Sequence, residues 1–375
     1  MKIYKGIKYA DAVRFARPIQ ADNLNSIDDV ETEIKICPQN PSRLDGVIGR
    51  SGYSELQSED CLRLAVYTPS TDGCHPVLVW IHGGAYLTGS ALYDIYDASR
   101  LAEEGNIVVV SISYRLGAFG FLCDPEHGIE NLGIEDQVCA LRWIRDNIRL
   151  FGGNPQDVTV MGQSAGAYSI LHHIASITEP LFSKAIVASA PYSSVSRKTV
   201  QRNTKAFYGA LGEDPAECSV EKILEAQNVV ASKGFGGMPF SAICDGVLSP
   251  DPVNPGLRAA MFWCQKDDAL PFVPFRFLAK PVTDLLFYKP MLRYASHLSS
   301  KGISTSCCVR DWRHGKSEFG AVHCMELPLL FGNYGTWKDA PFMQGVTLDE
   351  YEVQSRVLRN ELYSFIRKSC NMACL

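Results

Sequence analysis

Residues 158–167 read Val-Thr-Val-Met-Gly-Gln-Ser-Ala-Gly-Ala, an apolar run ending in Gly-x-Ser-x-Gly and continuing into small residues. The run predicts a buried strand and the small residues a helix. Ser164 therefore stands on a sharp strand-to-helix turn, its hydroxyl at the edge of a sheet. Gly162 and Gly166 leave space where a side chain would meet the neighbouring backbone. The helix that follows turns its first N–H groups and positive dipole end toward the hydroxyl, so an oxyanion formed there is stabilised. Short Gly-x-Ser-x-Gly strings also arise by chance in Gly/Ala-rich helix starts, so the turn alone names only a candidate nucleophile.

The flanking sequence alternates strands and helices. Residues 75–81, 107–113, 185–188, 259–263 and 304–309 are strand-sized apolar runs. Ile134, Val138, Leu141, Ile144, Ile148 and Phe151 recur at helical spacing until Gly152-Gly153-Asn154-Pro155 stops them. Helices are also predicted after Ser164 to about 177, over 197–211 and 219–232, and over 348–368. Continuous apolar strands separated by helices imply an α/β fold with a mostly parallel sheet covered on both faces. No linker, repeat or low-complexity segment divides the chain, so residues 1–375 read as one domain. Residues of about 192–240 read as a lid-like helical insertion.

The chain is 46% hydrophobic and 21% charged, and its net charge of −5 comes from interspersed acids and bases. Nothing in that balance points to nucleic acid or a membrane surface. Residues 1–8 lack an apolar core of signal-peptide length, and the longest apolar runs are too short to cross a bilayer. A cytoplasmic protein with reduced thiols is expected, although cysteines number 13. Cys307 and Cys308 are adjacent and no Cys-x-x-Cys occurs, so no metal or cofactor site is expected. Cys370 and Cys374 do not form a prenylation box. Gly234-Phe235-Gly236-Gly237 lacks a following Lys-Ser/Thr and reads as a loop bordering a pocket, not a phosphate cradle.

A serine needs a base, and the base a carboxylate to fix its tautomer. On a sheet of this kind the chain order is Ser, acid, His. His172 and His173 lie on the helix behind Ser164, too close in sequence to turn back. His297 lies on an amphipathic helix. His323, in a loop before a short apolar run, and His314, at a strand end, remain as candidate bases. Asp267-Asp268 follows the strand 259–263. Asp245 reads equally as a turn residue, and Asp284 as a helix-face residue. Upstream, Ile81-His82-Gly83-Gly84-Ala85-Tyr86 follows a strand. Its glycines let backbone N–H groups of Gly83 and Gly84 join that of Ala165 around a substrate oxygen.

Further matches then accumulate in order: Lys5-Gly6-Ile7-Lys8-Tyr9-Ala10, Ser58-Glu59-Asp60-Cys61-Leu62, Ser113-Tyr114-Arg115-Leu116-Gly117, Asn131-Leu132-Gly133-Ile134-Glu135-Asp136-Gln137 and Phe151-Gly152-Gly153-Asn154-Pro155. Over nearly its whole length the chain resembles the type B carboxylesterase family, the cholinesterase-like branch of the α/β-hydrolases. That resemblance implies a small-molecule ester as substrate and no cofactor. It implies Ser164 as nucleophile, His323 as base, Asp268 as acid and Gly83, Gly84 and Ala165 as oxyanion donors. It also implies Ser189 beside the acid and a pairing of Cys37 with Cys61, which a cytosolic protein would hold reduced.

Three departures stand out. The family acid is usually Glu, and Asp268 is one methylene shorter. The residue before the nucleophile is often Glu, and here it is Gln163. The interval from Asp268 to His323 is short for the family, which implies a reduced helical lid and a more open site. With the Gly-Gly-Ala form of the oxyanion loop, this implies tolerance of bulky esters. Phe235, Met238 and Phe240 are candidates for the acyl side, or for core. A thioesterase, lactonase or amidase uses the same machinery. A non-catalytic binding module of the same family is the reading from another class.

Overall fold

A computed structural model describes residues 1–42, 44–49, 56–192, 195–232, 238–243, 245–313 and 319–368. His314, Phe235, the glycines of 234–237, Cys370 and Cys374 lie outside the described residues.

Eight strands form the central sheet: β1 Lys2–Lys8, β2 Arg63–Thr68, β3 His75–Ile81, β4 Val108–Ile112, β5 Gly153–Gln163, β6 Lys184–Ala188, β7 Ala259–Gln265 and β8 Ser304–Arg310. Their order across the sheet is β1-β2-β4-β3-β5-β6-β7-β8. From β4 to β8 every pairing is parallel, whereas β1 pairs antiparallel with β2 and β2 with β4. The apolar runs become strands because both faces are buried. In β3, Val77, Val79 and Ile81 enter one hydrophobic cluster while Leu78 and Trp80 enter the other. The antiparallel edge strand β1 and its antiparallel neighbour β2 were not anticipated. β1 carries three lysines (Lys2, Lys5, Lys8), and its first residues are exposed, which suits an edge strand.

Helices cover both faces. Helix α1 (Leu132–Asn147) and helix α2 (Ala165–Ser176) pack one side through Trp143, Ile144 and Tyr168. Helices α3 (Arg197–Leu211) and α4 (Val220–Ser232) occupy the segment read as an insertion, and Phe207, Ile223 and Val230 join that same core. Helix α5 is Lys289–Ser300. The other side is closed by α6 (Glu326–Phe331) and α7 (Leu348–Ile366) through Leu330, Phe331 and Leu362.

Strand register brings the functional loops together. Ile81 pairs with Gly162, and Ala188 pairs with both Gln163 and Trp263. The loops leaving β3, β5, β6 and β7 therefore depart side by side at the carboxyl ends of parallel strands, where ligands of open α/β sheets bind.

Candidate active site

Ser164 holds φ 55° and ψ −122°, a conformation L residues rarely adopt. Its N–H donates to Ala188 O at 3.0 Å, and Tyr168 N–H donates to Ser164 O at 2.9 Å. The flanking glycines are forced by close approach. A Cβ on Gly162 would sit 2.4 Å from the Gly166 carbonyl carbon, and one on Gly166 would sit 2.1 Å from Ile81 O. Helix α2 can start directly under β3 only without them. Ser164 remains half-buried, open on one side.

The loop after β3 faces it. A Cβ on Gly83 would lie 3.1 Å from Ser164 Cβ, so the Gly83 backbone packs against the serine. Gly84 takes φ 108°, and Ala85 and Tyr86 also take positive φ, which their side chains disfavour. Tyr86 is held there by packing on Phe121, with ring centroids 4.3 Å apart, and by Gly117 N–H donating to its carbonyl at 2.6 Å. His82 is a structural part of this loop. Its Nδ1–H donates to Gly83 O at 2.8 Å, its ring stacks on Tyr114, and burial pushes it down to about 4, keeping it neutral. Ala165 is the buried first residue of α2.

Asp268 is fully buried after β7. One oxygen, Oδ1, lies 2.8 Å from His323 Nδ1. The other accepts from Ser189 Oγ at 2.9 Å and from Gln265 N–H at 2.6 Å. Ser189 reaches it from a left-handed turn (φ 50°) after β6, where its N–H donates to Trp263 O at 2.7 Å. The acid and histidine loops are stitched together by Asp267. It forms a parallel bridge with Val322, its N–H donates to Ala321 O at 2.9 Å, and its Oδ2 accepts from Ala321 N–H at 3.2 Å.

His323 is 2% exposed, its ring packed by Phe272 and Phe287 at centroid distances of 5.3 and 5.7 Å. Its Nε2 lies 3.2 Å from Gln163 Nε2. With Nδ1–H given to the carboxylate, Nε2 is the acceptor and the amide the donor. Among the described residues Ser164 Oγ makes no hydrogen bond to His323, so Gln163 holds the nitrogen that a proton from Ser164 would need.

The other candidates stand apart. His172 and His173 are buried in α2, where burial pushes both down to about 3, and His173 Nε2 meets Gln137 Oε1 at 2.8 Å. His297 Nε2 bonds Pro250 O at 3.0 Å. Asp245 is exposed, and Asp284 pairs with Lys280 at 2.7 Å. Phe240 is buried against Phe207, and half-buried Met238 packs on the same cluster, which gives both core roles.

Glu326 escaped the sequence reading. It lies three residues after His323, 2% exposed, with Oε2 accepting from Gln265 Nε2 at 2.8 Å and Oε1 without a partner among the described residues. Burial, followed by the nearby Asp268 charge, pushes its carboxyl up to about 7. The only local signal was an acid opening an apolar run, which reads as an ordinary helix N-terminal charge. Gln265 and Glu326 also border a cavity of about 400 Å³ beneath Trp312. The expectation of reduced thiols at Cys37 and Cys61 is corrected. The two are joined in a disulfide, because the segments holding them run side by side with Cα atoms 4.9 Å apart.

This is the architecture of an α/β-hydrolase, with a strained serine on the strand-to-helix turn of a mostly parallel sheet. The chain belongs to the carboxylesterase family, whose model matches residues 1–255, and it is a carboxylic ester hydrolase. It is 36% identical to a probable N-octanoylanthranilate hydrolase of Rhodococcus erythropolis, over 93% of this chain and 85% of that one. It is 33% identical to a para-nitrobenzyl esterase of Bacillus subtilis (strain 168), over 88% of this chain and 79% of that one. A PNB esterase structure superimposes with a TM-score of 0.85 at 26% identity, over 100% of this chain and 88% of that one. No helix among the described residues is long and apolar enough to cross a membrane.

Proposed function

We propose that the chain hydrolyses carboxylic esters through Ser164, His323 and Asp268 and a covalent acyl-enzyme. Ser164 Oγ attacks the ester carbonyl while His323 Nε2 takes its proton. The tetrahedral oxyanion rests on the N–H groups of Gly83, Gly84 and Ala165. The imidazolium then gives its proton to the leaving alkoxide, and water repeats the sequence on the acyl group. Asp268 fixes the His323 tautomer, and Ser189 holds Asp268. Gln163 releases Nε2 when the substrate arrives. Helices α3 and α4 serve as a reduced cover on the acyl side.

The observation that carries this reading is the 2.8 Å contact of Asp268 with His323 on loops adjoining the strained Ser164 turn. The test is p-nitrophenyl acetate hydrolysis by wild type and Ser164→Ala. A fall of about 10⁵–10⁶ in kcat is expected, and equal rates would contradict the reading.

Amide hydrolysis by the same residues is a second reading. It is favoured by the name of the Rhodococcus relative, since N-octanoylanthranilate is an amide. Comparing matched octanoyl ester and anilide substrates decides between them.

A further inference from the structure

After Asp268, residues 276–300 run as one continuous helical segment that ends in α5, passing through successive 3₁₀, α, π and α turns. Its inner face is buried through Ala279, Phe287, Met291 and Leu298, and Phe287 touches His323. A surface helix covers itself on the outside with polar residues. This one does not. Phe277 is 74% exposed, Leu285 66% and Leu292 40%, at the spacing of one outward face. Phe275, 59% exposed, stacks on Phe277 with centroids 5.6 Å apart. Phe272, 53% exposed, continues the apolar surface to the edge of His323.

The charges carried by the same segment are mostly of one sign. Residues 270–293 carry four bases (Arg276, Lys280, Lys289 and Arg293) against a single acid, Asp284, in a chain whose net charge is −5. Asp284 is engaged by Lys280. Lys289 and Arg293 are exposed and have no acidic partner among the described residues. Projecting aromatic and aliphatic side chains ringed by bases match what an anionic lipid–water interface recognises: acyl chains accept the rings, and headgroups the cations. A two-fold dimer through this face would set the same bases against one another, which disfavours a second copy as occupant.

We propose that residues 272–293 form a docking surface for anionic lipid interfaces, and that the enzyme takes esters of amphiphiles presented there. The docking part is independent of the chemistry, whereas the substrate class rests on the hydrolase reading above. The overall charge gave no hint of it, because the acids that offset these bases lie elsewhere on the chain.

The test is co-sedimentation of the full chain with vesicles of pure phosphatidylcholine and of equimolar phosphatidylcholine and phosphatidylserine. Wild type is expected to partition onto the anionic vesicles, and less so as salt is raised. Lys289→Gln with Arg293→Gln is expected to lower that partitioning about 25-fold, roughly fivefold for each cation removed. Phe275→Ser with Phe277→Ser is expected to lower it by at least about tenfold. Both pairs lie on the exposed face and should leave hydrolysis of soluble p-nitrophenyl acetate unchanged. No binding to either vesicle, or equal binding to both, overturns the proposal. So does a concentration-dependent dimer, abolished by the phenylalanine variant, in protein that ignores vesicles. Running Ser164→Ala in parallel separates the two claims, since docking must survive loss of the serine even if the hydrolase reading fails.

Discussion

Asp268 Oδ1 stands 2.8 Å from His323 Nδ1, although its carboxylate is one methylene shorter than the glutamate the family usually places there. The distance closes because the two loops are joined at the backbone. Asp267 bridges to Val322 and accepts from Ala321 N–H, which draws the adjoining Asp268 toward His323. The short acid is then fixed from its far side by Ser189 and Gln265.

Replacing that acid isolates its part. Asp268→Asn keeps the volume but offers the wrong partner to Nδ1–H, favouring the wrong tautomer. The expected loss in kcat is about 10³–10⁴-fold, with an unchanged circular dichroism spectrum. Activity within a few-fold of wild type would remove Asp268 from the mechanism.

Gln163 meets the other side of the same ring, 3.2 Å from Nε2. Gln163→Glu places a carboxylate where a neutral amide stands, which favours the protonated imidazole that cannot act as base. The acid limb of kcat/KM is therefore expected to move to higher pH by about one unit or more. A pH–rate profile that superimposes on wild type contradicts this arrangement.

Glu326 makes stability depend on pH. Its folded value of about 7 lies above the ordinary 4.5, so between them the folded chain keeps a proton that the unfolded chain has released. Stability from this group falls as pH rises through that window and is flat above it. Denaturant titrations of wild type and Glu326→Gln should diverge by about 2–3 kcal/mol across the window, the variant gaining toward alkaline pH. Parallel curves would mean that Glu326 titrates normally.

The Cys37–Cys61 bond closes a loop with a sequence separation of 24. Cys37→Ala with Cys61→Ala, or a reductant, is expected to lower stability by about 2–4 kcal/mol while leaving the esterase site intact. A reductant that changes neither denaturant midpoint nor free-thiol count would contradict the bond.

What was legible in the sequence was what local geometry dictates. The turn at Ser164 and the Gly83-Gly84 loop announce themselves because only small residues fit where backbones meet. The parallel strands do so because burial on both faces leaves continuous apolar runs. Chain order and placement narrowed the acid to Asp267-Asp268 and the base to His323 or His314, and the family resemblance then pointed to Asp268 and His323. What stayed hidden depends on partners distant in the chain. Glu326 is unusual only because Met325 and Leu327 are buried around it and Asp268 lies near. The outward apolar face of 272–293 looks like core until one sees which side the sheet covers. Compartment reasoning misjudged Cys37 and Cys61, since it weighs where a protein resides and not how closely two segments pass.

The central claim is that the hydroxyl on the strained turn is the atom that becomes acylated. Treating the enzyme with a fluorophosphonate probe and mapping the adduct by peptide mass spectrometry tests it most directly. One adduct per chain on Ser164, appearing in step with loss of esterase activity and absent from Ser164→Ala, is the expected result. Loss of activity with the adduct on another residue, or an unlabelled enzyme that still hydrolyses esters, would contradict it.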